Sequence, residues 1–429
     1  MVAWRFASSS LLSAIVVTSC GTTSGQFSSN DGMTKVREAK NGADYVELLV
    51  QLRTGTHLPE INDAQFVDEL DLEKYGKFIL AKVAANLAKQ FAQKLLVQDG
   101  VLGVEPNRVV SVPLPKLRSP LLGFDHEKSR LDDPLYGKQW YLSRIGADKA
   151  WQNTKGADVM VAIVDTGVDY RHPDLDDNMV GPGYSYVNNK PDAIDEFGHG
   201  THVAGIVGAI QGNGEGVSGV APRVKILPVA VLGPTGSGSL FNIAKGIKHA
   251  ADYGMQNKVH VVVNLSLGGA ATADSISYTT GWYATGKGAL LVAAAGNSNS
   301  AVGTPARWDK YYMAVSASDE KNEKASFSNF GPEISVSAPG VNILNTTPTY
   351  DVPLNKLGYS KYYAALQGTS MACPVVAGTC ALVWSIHPEW NWQQVRMQVE
   401  KTAKDLGKTG KDDIYGYGLV QAGAAVAAR

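Results

Sequence analysis

The stretch VMVAIVDTGVDYRHPDL, residues 159–175, begins with an unbroken apolar run and turns polar at Asp165. Continuous rather than alternating hydrophobicity suits a strand buried on both faces, and such strands belong to parallel sheets covered by helices on each side. Runs of the same kind lie at residues 224–231, 261–267 and 290–295, with helix patterns between them. The spacing predicts an α/β fold with a doubly wound, mostly parallel sheet. Ligand and catalytic groups of such sheets gather at the carboxyl ends of the strands, which is where Asp165 stands, directly before Thr166-Gly167. Taken alone, an Asp there also serves as a turn former or a metal ligand.

Two further segments carry candidate chemistry. DEFGHGTHVAGIVGAI, residues 195–210, places His199 between two glycines just ahead of an apolar helix pattern. Flanking glycines let the backbone turn sharply and leave an imidazole exposed for proton transfer. His199 and His202 can also be read as a metal pair, but zinc helices present His at i and i+4 with an intervening Glu, and this segment lacks both features. LQGTSMACPVVAGTCALVWSI, residues 366–386, sets Ser370 ahead of an apolar helix, with Pro374 expected in its first turn, where a missing N–H costs little. A Ser there is an N-cap, or a nucleophile with free backbone N–H groups and a positive dipole end nearby to stabilise an oxyanion.

The rest of the chain bounds these readings. At 429 residues, with 18% charged and 44% hydrophobic side chains, it exceeds a usual single domain and can bury a large core. A formal net charge of -1 gives no electrostatic footprint for nucleic acid or an anionic membrane surface, so no nucleic-acid partner is expected. Arg5 followed by the apolar residues 11–17 has the pattern of a signal peptide, residues 1–20, and predicts export. Its end, Val17-Thr18-Ser19-Cys20-Gly21, resembles the lipobox of bacterial lipoproteins, which makes Cys20 a candidate for lipidation; ordinary cleavage nearby is the alternative. Cys373 and Cys380 stand seven residues apart on an expected helix, about 10 Å along its axis, beyond disulfide reach. They are expected to be small buried apolar residues.

Residues 21–44 read as a flexible tether. Residues 45–112 form an expected small α+β unit: a strand at 46–52, a helix in which Val83, Leu87, Phe91 and Leu95 recur every four residues, and a returning strand at 101–112. Residues 113–130 carry three Pro and mixed charges and read as an exposed, cleavable connection; the larger unit spans 131–429.

Together the segments around Asp165, His199 and Ser370 closely resemble, in order and spacing, the signature blocks of the subtilase family, and the resemblance extends over nearly all of residues 132–429. It includes DDPLYGKQWYLSRIGADKAW, VNLSLGG and YGYGLVQAGAAV. Aspartate, then histidine, then serine is the subtilisin order, and no G-x-S-x-G elbow is found. The resemblance implies a serine endopeptidase in which Ser370 attacks the scissile carbonyl, His199 shuttles the proton and Asp165 orients the imidazolium. It implies no catalytic cofactor. In LLVAAAGNSNS, Asn297 matches the asparagine that completes the oxyanion hole; its other reading is a loop-starting Asn.

The same resemblance implies that Ser266-Leu267-Gly268 and Gly236-Ser237-Gly238 hold a substrate peptide between them as an added strand. Ala294, Ala295, Gly296 and Gly303 match positions around the P1 pocket, whose small residues imply broad cleavage with preference for large apolar P1 residues. Asp133, Asp174 and Asn213 resemble ligands of a structural calcium site, in a loop, residues 210–217, whose Glu215 either replaces a backbone ligand or faces solvent. Residues 45–112 resemble the ferredoxin-like propeptide that acts as intramolecular inhibitor, removed by self-cleavage between residues 112 and 131. The implied partners are protein and peptide substrates, the chain's own propeptide and a membrane lipid anchor, for a monomer in the cell envelope or the medium. A peptide-binding lipoprotein without catalysis and an esterase on the same fold are the rivals.

Overall fold

The computed structural model describes residues 35–37, 44–58, 63–112 and 133–427. The expected signal peptide, Cys20, most of the tether and the connection at 113–130 lie outside the described residues. The chain divides into two compact units, one comprising residues 1–109 with 239–244 and 273–280, the other residues 110–238, 245–272 and 281–429.

The first unit contains strands β1 (Lys35–Arg37), β2 (Asp44–Leu52), β3 (Ala64–Asp71) and β4 (Lys77–Ala84), helix α1 (Ala88–Leu96) and strand β5 (Val101–Pro106). The strands form an antiparallel sheet in which β2 pairs with β4, β1 and β5, and β3 pairs with β4. Helix α1 buries Ala88, Phe91 and Leu95 in a core with Val46, Leu48, Val50, Leu52 and Val83. The four-residue spacing that begins at Val83 therefore misplaces that residue. Val83 belongs to β4, where it pairs with Val46, and the helix begins five residues later. The returning segment is likewise broken at Asn107, whose buried side chain donates to Glu47 (2.7 Å) and accepts from Phe241 N (3.2 Å) instead of continuing β5.

The second unit is built on strands β6 (Val159–Asp165), β7 (Tyr184–Ser185), β8 (Lys225–Ala230), β9 (His260–Leu265), β10 (Leu290–Ala294), β11 (Tyr312–Ser318) and β12 (Ile334–Pro339). They form one sheet in the order β12-β11-β10-β9-β6-β8-β7, and every pairing is parallel. All seven residues of β6 are buried. Because successive side chains alternate faces, Val159, Val161 and Ile163 join a core with residues of helices α2 (His199–Gly208) and α5 (Thr369–Ile386). Val164 and Val229 face the other way, where a Cβ on Gly246 of α3 (Leu240–Asn257) would meet them. Gly281 of α4 (Ser275–Gly286) approaches Tyr312 in the same manner. The chain runs outward from β6 toward β8, then returns to β9 and continues the other way. The order thus reverses between β6 and β9, the place where doubly wound sheets open a crevice at their carboxyl edge. This subtilisin-like sheet, preceded by a small α+β region, is the architecture expected from the apolar runs.

Candidate active site

Asp165 ends β6 and His199 begins α2, both fully buried. The Asp165 Oδ1 atom lies 2.7 Å from His199 Nδ1 and also accepts from Thr166 N at 2.7 Å. The approach is held by Asp195, a residue the sequence reading passed over. Its buried carboxylate accepts from the N–H groups of Phe197 (3.0 Å), Gly198 (2.7 Å) and Thr201 (2.8 Å) and from the hydroxyls of Thr201 (2.7 Å) and Thr166 (2.8 Å). Thr166 Oγ1 in turn accepts from Gly200 N at 2.9 Å. The first turn of α2 is thereby tied to the end of β6, and Gly198 adopts φ 113°, a left-handed turn suited to glycine. Burial raises the Asp195 carboxyl above its ordinary range, opposed by these donors.

His202 takes a different course from His199. Its Nε2 donates to Ile343 O (3.0 Å) and Ala364 O (3.1 Å), and burial, followed by the nearby His199, pushes its pKa down to about 3. The ring is a neutral member of the core, anchored to two carbonyls, rather than one half of a ligand pair with His199.

Ser370 is the second residue of α5. Its Oγ donates to Ser266 O at 3.0 Å, and Ser266 Oγ donates back to Ser370 O at 2.8 Å. Pro374 explains why that carbonyl is open. It lies inside the helix, not in its first turn as expected, and the proline four residues after Ser370 has no N–H to give the Ser370 carbonyl. Ser266 supplies the missing donor, and Asn264 Nδ2 holds the Ser266 hydroxyl at 2.9 Å. Ser266 follows β9 directly, so this pair sits beside the β6 end at the switch between the two strands. Among the described residues no hydrogen bond joins His199 to Ser370 directly; His199 Nε2 and Asp165 Oδ2 are buried and take no partner.

Asn297 follows β10. Its Oδ1 accepts from both Thr369 N and Thr369 Oγ1 at 2.9 Å, and Thr369 Oγ1 accepts from Gly296 N at 3.1 Å. Holding the oxygen end fixes the plane of the amide against the residue preceding Ser370. The loop beyond is organised by Asn329, also missed from sequence. Asn329 accepts from Ser298 N (2.8 Å) and Ser300 N (3.1 Å) and donates to Ala295 O (3.1 Å) and Ala301 O (2.9 Å).

The small residues expected around the pocket have particular neighbours. Ala294 and Ala295 are buried. A Cβ on Gly296 would strike the Asn329 amide, and one on Gly303 would strike the Gly269 carbonyl. Leu267 is buried, Gly233 N donates to Ser237 O (2.9 Å), and a Cβ on Gly238 would strike Val231 O. Between Gly236 and Gly268 runs the chain's own segment at residues 110–112. Val112 N donates to Gly236 O (3.0 Å), Ser111 N to Gly268 O (3.5 Å) and Gly268 N to Ser111 O (3.4 Å), the last two as an antiparallel pair.

The residues expected to bind calcium converge on one loop. Asp133 accepts from Gly212 N (2.8 Å) and from the Ser218 hydroxyl. Asp174 accepts from Val217 N (2.8 Å) and Asn213 Nδ2 (3.0 Å), while Asn213 Oδ1 caps Glu215 N (2.9 Å). Both carboxylates are buried, and burial pushes Asp174 up to about 7. Among the described residues no group of three or more His, Cys, Asp and Glu gathers as a metal cluster. Cys373 and Cys380 are free and buried, and burial raises both thiols.

Comparison with known proteins agrees with this geometry. Residues 156–418 match the model of the subtilase family. The chain is 40% identical over 308 residues to an alkaline protease of Alkalihalobacillus alcalophilus, covering 71% of this chain and 74% of that one. It is 42% identical over 288 residues to subtilisin Savinase of Lederbergia lenta, covering 67% and 97%. It is 36% identical over 365 residues to alkaline elastase YaB of a Bacillus species, covering 84% and 88%. The chain belongs to the subtilase family of serine endopeptidases.

Proposed function

We propose that Asp165, His199 and Ser370 are the catalytic triad, and the observation that carries this reading is the buried 2.7 Å contact between Asp165 Oδ1 and His199 Nδ1 beside the Ser266–Ser370 pair. Asp165 fixes the ring so that Nε2 is the basic nitrogen. The Ser370 hydroxyl turns from Ser266 O to His199 Nε2, gives up its proton and attacks the scissile carbonyl. His199 then donates that proton to the leaving amine, and the acyl-enzyme is hydrolysed by water in the reverse sense. The oxyanion is met by Ser370 N–H at the start of α5 and by the Asn297 amide, whose oxygen end is already committed to Thr369. Labelling with a fluorophosphonate tests this: wild type takes the label on Ser370, and Ser370→Ala does not.

The substrate peptide lies as a strand between residues 236–238 and 266–268, and its P1 side chain is large and apolar. A peptide-library profile dominated by P1 Lys or Arg would overturn that specificity. The chain is made as a precursor whose residues 45–112 inhibit the enzyme until cleavage between residues 112 and 131. The seating of residues 110–112 against Gly236 and Gly268 supports this, because a bound substrate strand would make the same bonds. Intact mass of wild type and Ser370→Ala separates self-processing from processing by another protease.

Calcium fits the chemistry at residues 210–217. Two buried carboxylates, Asp133 and Asp174, with only neutral donors among the hydrogen bonds described above, are stabilised by a hard cation that takes oxygen ligands. Asp133, Asp174 and Asn213 would hold it, with a structural role only. Export, with or without a lipid on Cys20, rests on residues 1–20 alone, and mass analysis of the mature N-terminus distinguishes the two.

A further inference from the structure

The loop at residues 296–301, which carries Asn297, is stitched along its length to the loop at residues 325–330. Asn329 N donates to Gly296 O (2.9 Å), Asn299 N to Phe327 O (2.8 Å) and Phe330 N to Ser300 O (3.0 Å), beside the bonds of the Asn329 amide described above. A charged group joins the two loops as well. The Lys324 ammonium donates to Asn299 Oδ1 (2.8 Å) on the first loop and to Ser328 O (3.1 Å) and Ala325 O (3.2 Å) on the second. An ammonium carries three N–H donors and no acceptor, and here each donor has an oxygen. Its Nζ also stands 5.5 Å from the centroid of the Phe330 ring, within cation–π reach.

The three oxygens are all neutral, and among the described residues no carboxylate pairs with Lys324. A lysine on a single exposed carboxylate contributes little. This one exchanges its hydration for convergent amide oxygens from two loops, which is how a cage of carbonyls holds a monovalent cation. The base of the side chain is fixed too, because Lys324 N donates to Tyr415 Oη at 3.1 Å and Lys324 pairs with Ser318. Asn299 adopts φ 48°, a left-handed turn that a short polar side chain tolerates.

We propose that Lys324 is a positioning residue for Asn297: its ammonium is a tethered monovalent cation that clamps the loop at 296–301 and sets the direction of the Asn297 amide N–H. The inference rests on the peptidase reading above and on the role given there to Asn297. Asn299 lies two residues after Asn297, whose oxygen end is held separately by Thr369. A shift at Asn299 therefore turns the amide about a fixed end rather than releasing it. The cage suits a compact charge with three donors, and the planar fork of arginine does not match it.

The test is steady-state kinetics on a chromogenic peptide with Lys324→Met, which keeps most of the apolar stem and removes the ammonium, in ammonium chloride and in choline chloride at equal ionic strength. In choline, kcat should fall about ten-fold, less than the 10²- to 10³-fold of an absent donor because the amide is misdirected and not lost. The KM should stay within about three-fold, since the ground-state carbonyl does not depend on this bond. Ammonium, the missing group itself, should restore at least about half of the wild-type kcat in the same salt, and choline, too large for the cage, should not. Lys324→Arg should behave as Lys324→Met does in choline. Should Lys324→Met fail to fold, Asn299→Gly, which accepts the same φ and deletes one cage oxygen, should show the same fall in kcat at unchanged KM. A kcat kept in the folded variants, a change in KM alone, a loss that ammonium and choline treat alike, or full activity in Lys324→Arg overturns the clamp and leaves the peptidase intact. A wild type unlabelled by fluorophosphonate on Ser370 overturns the peptidase reading, and an Asn297→Asp enzyme with unchanged kcat overturns the role of Asn297; either removes the clamp with it.

Discussion

Replacing Asn297 by Asp isolates one hydrogen-bond donor. In the structure Asn297 Oδ1 accepts from Thr369 N and Oγ1, both at 2.9 Å. A carboxylate keeps both of those bonds, so the loop and the start of α5 stay in place. What it loses is the amide N–H proposed to meet the developing oxyanion, and it puts a negative charge in its stead. Loss of one such donor lowers kcat by about 10²- to 10³-fold, or about 2.7–4 kcal/mol of transition-state stabilisation. Asn297→Asp should fall at the upper end because like charges then face each other. The KM should hold within a few-fold, since the ground-state carbonyl does not depend on this bond. Asn297→Leu provides the contrast: it strands Thr369 N–H and Oγ–H, each costing about 1–3 kcal/mol when left unpaired, so its melting temperature should drop together with kcat. The assay is steady-state kinetics on a chromogenic peptide beside thermal denaturation. An Asn297→Asp enzyme with kcat within ten-fold of wild type, or one altered in KM alone, would refute this role.

Asp195→Ala should destabilise the second unit by about 3 kcal/mol or more, since five donors lose a buried carboxylate, and should lower kcat as the His199 turn loosens; an unchanged urea midpoint contradicts this. Glu105 accepts from Ser275 N and Oγ and Ile276 N within the first unit, and burial, then Asp274, raises it from 4.5 to about 7. A folded-state pKa above the unfolded value means stability is fully present below about pH 4.5 and lost as pH rises through about 7. In the Ser370→Ala chain the first unit should therefore weaken across that window, and Glu105→Gln should flatten the slope; a gain in stability with rising pH would count against it. Chelation of calcium should lower the melting temperature of wild type, and Asp174→Asn should remove that difference; equal melting curves with and without chelator in wild type would eliminate the site.

Much of the second unit was legible from β6, β8, β9 and β10, because strands buried on both faces write unbroken apolar runs. Strands β11 and β12 escaped notice because YMAVSAS and ISVSAP interleave small and hydroxyl residues that are buried without being strongly apolar. Asp165, His199 and Ser370 each stand at the end of an apolar element, so their order could be read along the chain. The groups that hold them could not. Ser266 was singled out only for the substrate strand, and its contact with Ser370 across 104 residues was not foreseen, nor was that of Asn329 with Ala295 across 34, because a lone Ser or Asn in a turn-rich chain carries no mark of a distant partner. Pro374 shows the same limit, since its effect depends on where the helix begins and on a hydroxyl from another strand. Val83 fell into the helix pattern because a four-residue spacing bridged β4 and α1 by coincidence of position.

The central claim is that Ser370, activated by the Asp165–His199 pair, is the nucleophile of a protease that processes itself. The most direct test is intact mass and peptide mapping of wild type and Ser370→Ala, each before and after a fluorophosphonate. The account predicts that wild type loses its N-terminal segment up to a bond between residues 112 and 131 and carries the label on Ser370, while the variant stays unprocessed there and unlabelled. A folded, mature wild type with Ser370 unlabelled would contradict it, and would leave a peptide-binding cleft without catalysis.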